Sequence, residues 1–130
     1  MKYVYTAVFT DTGDGYSVSV PDLPGCITGG ADIADALSMV EDAAAMWLWD
    51  AENREEPIPT ATPIDQIDVA AGQVRSMVLL DTDAYRRMND NRAVKKTLSI
   101  PSWLNTEAER VGVNFSQILQ EALKAKLGVQ

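Results

Sequence analysis

The last 39 residues of the chain constrain its fold most, because they combine elements that cannot build a core alone. Residues 94–100 alternate apolar and polar side chains, which predicts a β-strand that ends at Pro101. Apolar residues at helical spacing then predict two helices, one ending at Gly112 and one capped by Asn114. A segment of this size with a single strand usually requires a second chain to complete its core. We therefore expect two copies to pair their strands antiparallel and to interlock their helices.

In such a dimer the paired strands form a ribbon, which is one of the shapes that the major groove of B-DNA admits. The polar side chains of the strand suit base edges, and the second helix offers its N-terminal N–H groups to a phosphate. The residues expected to contact DNA are Lys95, Thr97, Ser99, Asn114, Phe115 and Ser116. The alternative is that the strand residues only solvate an exposed edge and that Asn114 is a plain helix cap.

The first 91 residues predict a separate α+β domain with the element order β-β-β-α-β. Alternating side chains and flanking turn residues predict four strands, over residues 3–10, 16–20, 26–28 and 73–80. Asp32 caps an amphipathic helix that extends to about residue 50, and a short helix is expected over residues 82–88. One helix that covers a small antiparallel sheet buries a usable core over a domain of this length.

The charge of the chain differs between these two regions. Residues 1–91 carry five basic and sixteen acidic side chains, a net charge of −11, whereas residues 92–130 carry six basic and three acidic ones, a net charge of +3. This division predicts an acidic domain that binds a basic partner and a basic domain that binds phosphates.

Two residue types restrict the chemistry that the chain can perform. It has no histidine, which removes the commonest general base, the usual zinc ligand and every histidine-activated nucleophile. Its single cysteine, Cys26, cannot form an intrachain disulfide and is expected to be a small buried apolar residue. No apolar stretch approaches the roughly 20 residues of a membrane span, and the first residues alternate like a strand. We expect a cytoplasmic protein that does not associate with membranes.

Two parts of the sequence resemble HicB-type antitoxins of type II toxin–antitoxin systems. The tail is similar to their ribbon-helix-helix module in residues 95–104, KKTLSIPSWL, and in residues 112–123, GVNFSQILQEAL. The N-terminal region is similar to their N-terminal domain in residues 14–26, DGYSVSVPDLPGC, and in the Ala-rich helix that ends at Trp47 and Leu48. The resemblance covers nearly the whole chain except residues 51–70.

This resemblance implies two domains with different partners. Residues 1–91 would form a truncated RNase H-like domain that binds and blocks a HicA-like toxin, a small basic protein that cleaves mRNA. Residues 92–130 would form a ribbon-helix-helix domain that dimerises, binds operator DNA and represses the operon, with assembly into tetramers left open. A stiff loop in the first domain suggests three toxin-contacting residues: Tyr16, Asp22 and Leu23. The alternative is that this loop only stiffens the edge of the sheet.

Two other functions compete with the antitoxin interpretation. One is a solitary transcriptional regulator whose acidic domain senses a ligand or another protein. The other is a metal-dependent nuclease, for which Asp11 or Asp14 and Glu41 are the candidate ligands. No periodicity places four such carboxylates together, and acidic residues in turns are usually solvated. We therefore expect no catalytic residue, no metal and no cofactor.

Overall fold

The computed structural model describes residues 1–130 and divides into two compact units, Met1–Arg92 and Ala93–Gln130, called here the N-terminal unit and the C-terminal unit. The N-terminal unit contains a four-stranded antiparallel sheet and two helices. Its elements are β1 Lys2–Asp11, β2 Tyr16–Ser19, β3 Ile27–Gly30, α1 Ile33–Asn53, β4 Gln73–Asp81 and α2 Thr82–Asn89, with a 3-10 turn at Ile64–Gln66. The strand order is β3-β2-β1-β4. The predicted α+β class and the order β-β-β-α-β are confirmed.

The third strand differs most from its prediction, because it includes two glycines that were expected to follow it. Strand β3 pairs Gly29 with Ser17 and Gly30 with Tyr16. A Cβ atom on Gly30 would clash with the backbone nitrogen of Ala36. Glycine at this position therefore allows the first turn of α1 to approach the edge of the sheet.

The core of the N-terminal unit lies between one face of the sheet and α1. Helix α1 begins at the predicted cap, where the Asp32 side chain accepts a hydrogen bond from the Asp35 backbone nitrogen at 2.8 Å. The buried side chains of α1 follow helical spacing and include Ala36, Val40, Ala44 and Leu48. Cys26 is buried in this core, as the sequence predicts, and its burial raises the pKa of the thiol.

A polar junction joins β1, α1 and α2 at one end of this core. One Glu52 carboxylate oxygen accepts hydrogen bonds from the Tyr3 hydroxyl at 2.9 Å and from the Thr82 hydroxyl at 3.0 Å. Burial, together with this carboxylate, raises the pKa of Tyr3 to about 12. Because Thr82 is fully buried, its hydroxyl has only protein groups as partners.

The C-terminal unit contains two helices, α3 Ser102–Val111 and α4 Phe115–Leu127. Helix α3 ends at Gly112, which adopts φ 79° in the left-handed region. Helix α4 is capped by Asn114, whose side chain accepts from the Gln117 backbone nitrogen at 3.0 Å. Both predicted helices and both caps are confirmed.

The structure of the single chain differs from two of the predictions for this unit. Residues 94–100 form no strand here, because an isolated extended segment has no ladder partner within the chain. The apolar side of α4 was expected to be buried, yet no residue of Ala93–Gln130 is buried. Two helices of 10 and 13 residues are too small to enclose an interior.

Candidate binding surfaces

The segment before α3 exposes every residue that was predicted to face DNA from a strand. Lys95, Thr97 and Ser99 are exposed, and so are the apolar residues that alternate with them. None of the three side chains forms a hydrogen bond or an ion pair within the chain. Their donors and acceptors are therefore available to an external partner.

The start of α4 gathers the other three predicted DNA contacts at one helix terminus. The Asn114 side chain accepts a hydrogen bond from the Gln117 backbone nitrogen, and the Asn114 backbone carbonyl accepts one from the Ile118 backbone nitrogen. The backbone N–H groups of Phe115 and Ser116 have no partner within the helix, as is usual for the first turn. This terminus combines free N–H groups with the positive end of the helix dipole, an arrangement that suits an anion. No hydrogen bond connects it to the strand-like segment within the chain.

The C-terminal unit also exposes an apolar surface that is large for its size. Eleven large apolar side chains have exposed fractions between 37% and 85%. They are Val94, Leu98, Ile100, Trp103, Leu104, Val111, Phe115, Ile118, Leu119, Leu123 and Leu127. A stable monomer rarely leaves so many large apolar residues of one small unit in water, so this surface indicates an association site.

The three predicted toxin contacts have different environments in the N-terminal unit. Leu23 is only 1% exposed and belongs to the core, so it offers no surface to a partner and is removed from the predicted contacts. Tyr16 is half-buried against the same core. Asp22 accepts hydrogen bonds from the backbone nitrogen and the hydroxyl of Thr62, at 2.8 and 2.7 Å.

The Asp22 carboxylate therefore anchors the connection between α1 and β4 to the loop after β2. It also adds to the effect of burial in raising the pKa of Tyr5, whose hydroxyl donates to the Pro59 carbonyl of the same connection. These contacts support the alternative interpretation, in which the loop stiffens the sheet edge. This role of Asp22 depends on Thr62, which lies 40 residues away in the sequence, so the residues around Asp22 could not predict it.

Helix α1 presents a surface that the sequence analysis did not identify. Three aspartates and two methionines alternate along its exposed side: Asp35, Met39, Asp42, Met46 and Asp50. Their spacings of four, three, four and four residues keep them on one side of the helix. We call this set the Asp/Met stripe. Helical spacing of exposed Met with Asp was the signal that could have revealed it.

An open cleft lies at the C-terminal end of the Asp/Met stripe. Met46 and Asp50 line it together with two tryptophans and residues 25–27. The Trp47 indole donates to the Pro24 carbonyl at 3.0 Å, which fixes one wall. The Trp49 indole nitrogen is buried without a partner, and its ring packs against Tyr85 with centroids 5.4 Å apart. The stripe therefore combines negative charge with accessible apolar surface.

The carboxylates named for a nuclease do not assemble into a site. No three Asp, Glu or Cys side chains in residues 1–130 converge in a way that could hold a metal ion. The chain also contains no helix with the length and hydropathy that a membrane span requires.

Comparison with known sequences connects this architecture to one family. The family model of the HicB-like antitoxins of bacterial toxin–antitoxin systems matches residues 4–122. Antitoxin HicB 2 of Photorhabdus laumondii subsp. laumondii is 31% identical over 88 residues, which are 66% of this chain and 63% of that protein.

Comparison with solved structures gives the same result for the fold. A chain of a toxin–antitoxin complex from Streptococcus pneumoniae has a TM-score of 0.62 and 27% identity, covering 97% of this chain and 99% of that one. A chain of the HicA3 and HicB3 toxin–antitoxin complex has a TM-score of 0.52 and 25% identity, covering 61% of this chain and 99% of that one. The first of these matches extends across both units.

Proposed function

The chain belongs to the HicB-like antitoxins of bacterial toxin–antitoxin systems, and on this premise we propose that it neutralises a HicA-like toxin and represses its own operon. In this proposal the N-terminal unit is a truncated RNase H-like domain that binds the toxin. The C-terminal unit is a ribbon-helix-helix module that dimerises and binds operator DNA. The protein acts in the cytoplasm by binding, without catalysis.

The charge and surface of the N-terminal unit support toxin binding there. Its first 91 residues carry a net charge of −11, which attracts a basic toxin over distances beyond direct contact. The Asp/Met stripe places three of these carboxylates beside two methionines, whose flexible side chains adapt to a partner surface. We therefore propose the Asp/Met stripe as the toxin-binding surface, with Tyr16 as a further candidate and Asp22 as the residue that stiffens the loop.

The observation that carries the DNA-binding proposal is the absence of any buried residue in Ala93–Gln130. Eleven large apolar side chains are exposed there, although α3 ends in a Gly112 C-cap and α4 is capped at both ends. A second copy accounts for both features, because interlocked helices bury the apolar surface and paired strands satisfy the backbone of residues 94–100. The same arrangement forms the ribbon that a major groove accepts.

Within this dimer the two groups of polar contacts have different roles. Lys95, Thr97 and Ser99 would face base edges, where a lysine donates to guanine and a hydroxyl serves as donor or acceptor. Asn114, Phe115 and Ser116 would hold a phosphate through the helix terminus, which positions the module without reading sequence. The mild positive charge of residues 92–130 favours both contacts.

One experiment tests both halves of the proposal in the intact protein. The chain is produced together with a HicA-like toxin, and the product is purified and mixed with DNA from upstream of the chain's own gene. We expect a stable complex of both proteins, growth rescue of cells that express the toxin, and retention of the upstream DNA. DNA retention without any toxin association would instead indicate a solitary regulator. Toxin neutralisation without DNA retention would refute the repressor half.

A further inference from the structure

The open cleft at the C-terminal end of the Asp/Met stripe lies between α1 and residues 25–27, where β3 begins. Its volume is about 440 Å³. Small-molecule sites span roughly 300–1,000 Å³, so this cleft is near the lower end of that range. A space of this size suits one long side chain of a partner rather than a whole helix or strand.

Two tryptophans of the cleft are held in place by contacts within the chain. The Trp47 indole donates to the Pro24 carbonyl at 3.0 Å. The Trp49 ring packs against Tyr85 of α2, with ring centroids 5.4 Å apart. Because these contacts exist before any partner binds, little side-chain freedom is lost when the cleft is filled. The aromatic part of the cleft is therefore preorganised.

The remaining surface of the cleft is apolar and accessible except for one carboxylate. Met46 is 50% exposed and Ile27 is 69% exposed. Asp50 is the only charged residue that lines the cleft. Its Oδ1 atom lies 3.3 Å from Nε of Arg54, and Oδ2 has no such partner. Both side chains of this pair are more than half exposed, so the pair contributes little and leaves Asp50 able to bind another cation.

This combination of groups selects for a cation that carries an apolar stem. An indole ring attracts a cation over its face, and a neighbouring carboxylate adds direct charge pairing. Arginine fits both better than lysine, because its planar guanidinium stacks on aromatic rings and pairs with a carboxylate through two N–H groups. The methylene groups of an arginine side chain also bury well against apolar surface while the charged head stays near water. The chemistry of the cleft therefore favours arginine.

We propose that the cleft receives one arginine side chain of the toxin, a contact that rests on the toxin-binding function proposed above. The guanidinium pairs with the Asp50 carboxylate beside the indoles, and the stem packs against Met46 and Ile27. Met46 and Asp50 belong to both the cleft and the Asp/Met stripe, so the surface that attracts a basic toxin leads directly to the cleft. Asp50 thus holds the bound toxin, whereas Asp42 mainly speeds its approach.

The first test measures how fast the toxin dissociates from full-length variants. Asp50→Asn should raise the dissociation rate roughly tenfold or more, because truncating one partner of an enclosed charge pair acts on dissociation. Arg54→Gln removes the ion pair within α1 but keeps the carboxylate, so it should change the rate by less than about twofold. Circular dichroism confirms that both variants are folded. Equal effects of the two variants, or no effect of Asp50→Asn, would overturn the proposal.

A double-mutant cycle then identifies the residue that occupies the cleft. Each arginine of the toxin is replaced in turn by lysine, and each toxin variant is measured against the unmodified chain and against Asp50→Asn. One replacement should weaken binding to the unmodified chain and have little further effect on Asp50→Asn, because both changes remove the same contact. If every arginine replacement is additive with Asp50→Asn, the cleft proposal is wrong although toxin binding stands. If the unmodified chain does not bind the toxin, the toxin-binding function fails, and the following test decides the cleft.

This test uses the chain without the toxin. The three tryptophans give separate indole N–H signals in nitrogen–proton NMR spectra, and Trp103 in the C-terminal unit serves as the internal control. N-acetyl-arginine amide should shift the signals of Trp47 and Trp49 in a saturable manner and leave Trp103 unchanged. N-acetyl-citrulline amide has nearly the same shape without the charge and should have no effect, and Asp50→Asn should abolish the response to arginine. No response to arginine, equal responses to arginine and citrulline, or a larger response to N-acetyl-lysine amide would each overturn the proposal.

Discussion

The two units of this protein differ in whether they contain an interior of their own. All seventeen buried apolar residues lie in the N-terminal unit, and the C-terminal unit has none. Yet both units contain helices with a side-chain cap at the N-terminus, such as Asp32 for α1 and Asn114 for α4. Local sequence therefore specifies helices equally well in both, but it secures tertiary structure only where the chain can fold back on a covered sheet.

This difference also separates the two proposed activities. A toxin-binding unit with its own core stays folded when the protein is dilute, whereas a DNA-binding unit with a shared core forms only when two chains meet. Operator binding should therefore depend on protein concentration more steeply than toxin binding.

The largest effect is expected from a charge on the apolar side of α4. Leu119→Glu would place an unpaired carboxylate in the shared core, which costs about 3–5 kcal/mol. We expect loss of operator binding in mobility-shift assays, with toxin neutralisation unchanged. Lys124→Glu, on the opposite side of the same helix, is the control and should preserve the concentration dependence of C-terminal melting. If Leu119→Glu and Lys124→Glu lost DNA binding equally, and both lost the concentration dependence of C-terminal melting, the result would argue against a shared core.

The converse change removes packing from the N-terminal core. Leu48 on α1 is fully buried, so Leu48→Ala should destabilise this unit by about 2–5 kcal/mol through lost contacts and a residual cavity. Thermal unfolding followed by circular dichroism should show a lower, concentration-independent transition and weakened toxin binding. Ser38→Ala, exposed on the same helix and outside the Asp/Met stripe, serves as the control. A concentration-dependent transition for the N-terminal unit would contradict its autonomy.

Much of this architecture can be predicted from the sequence because its signals are local. Alternation identified β1, and the cap at Asp32 identified the start of α1. The burial of Leu23 and the anchoring of Asp22 by Thr62 depend on contacts distant in sequence, which turn-forming residues do not reveal. The strand expected over residues 94–100 has no ladder partner in the single chain and does not form there, so its pairing with a second copy stays a prediction.

A smaller effect is expected where the strand-like segment would read bases. Thr97→Ala should weaken operator binding by about 1–3 kcal/mol and binding to scrambled DNA much less, because base contacts specify sequence. Lys95→Ala should reduce specificity more than Lys96→Ala, since alternate residues of a strand face opposite sides. Affinities for both duplexes at fixed salt provide the measurement. If specificity depended on Lys96 instead of Lys95, the predicted strand register would be wrong by one residue.

Phosphate contact by the α4 terminus should produce a different pattern. Asn114→Ala should weaken operator and scrambled DNA to similar extents, because the helix terminus positions the module without reading bases. The lost cap should also destabilise α4 by about 1 kcal/mol, whereas Asn114→Asp preserves the cap and adds a negative charge near the phosphate. Both variants are compared on the same two duplexes. Selective loss of operator binding in Asn114→Ala would place Asn114 among the base-reading residues instead.

The smallest effect is expected at the Asp/Met stripe, where charge accelerates toxin association more than it stabilises the complex. Asp42 is exposed in the middle of the stripe, so Asp42→Asn should lower affinity by less than about 1 kcal/mol and act mainly on the association rate. Stopped-flow mixing with the toxin at low and high salt separates the two contributions. The difference from the unmodified protein should shrink as salt rises, because exposed charges are screened within about 8–10 Å. Asp65→Asn in the connection before β4 removes the same charge outside the stripe, and equal slowing by both variants would show that net charge alone, rather than the stripe, directs the toxin.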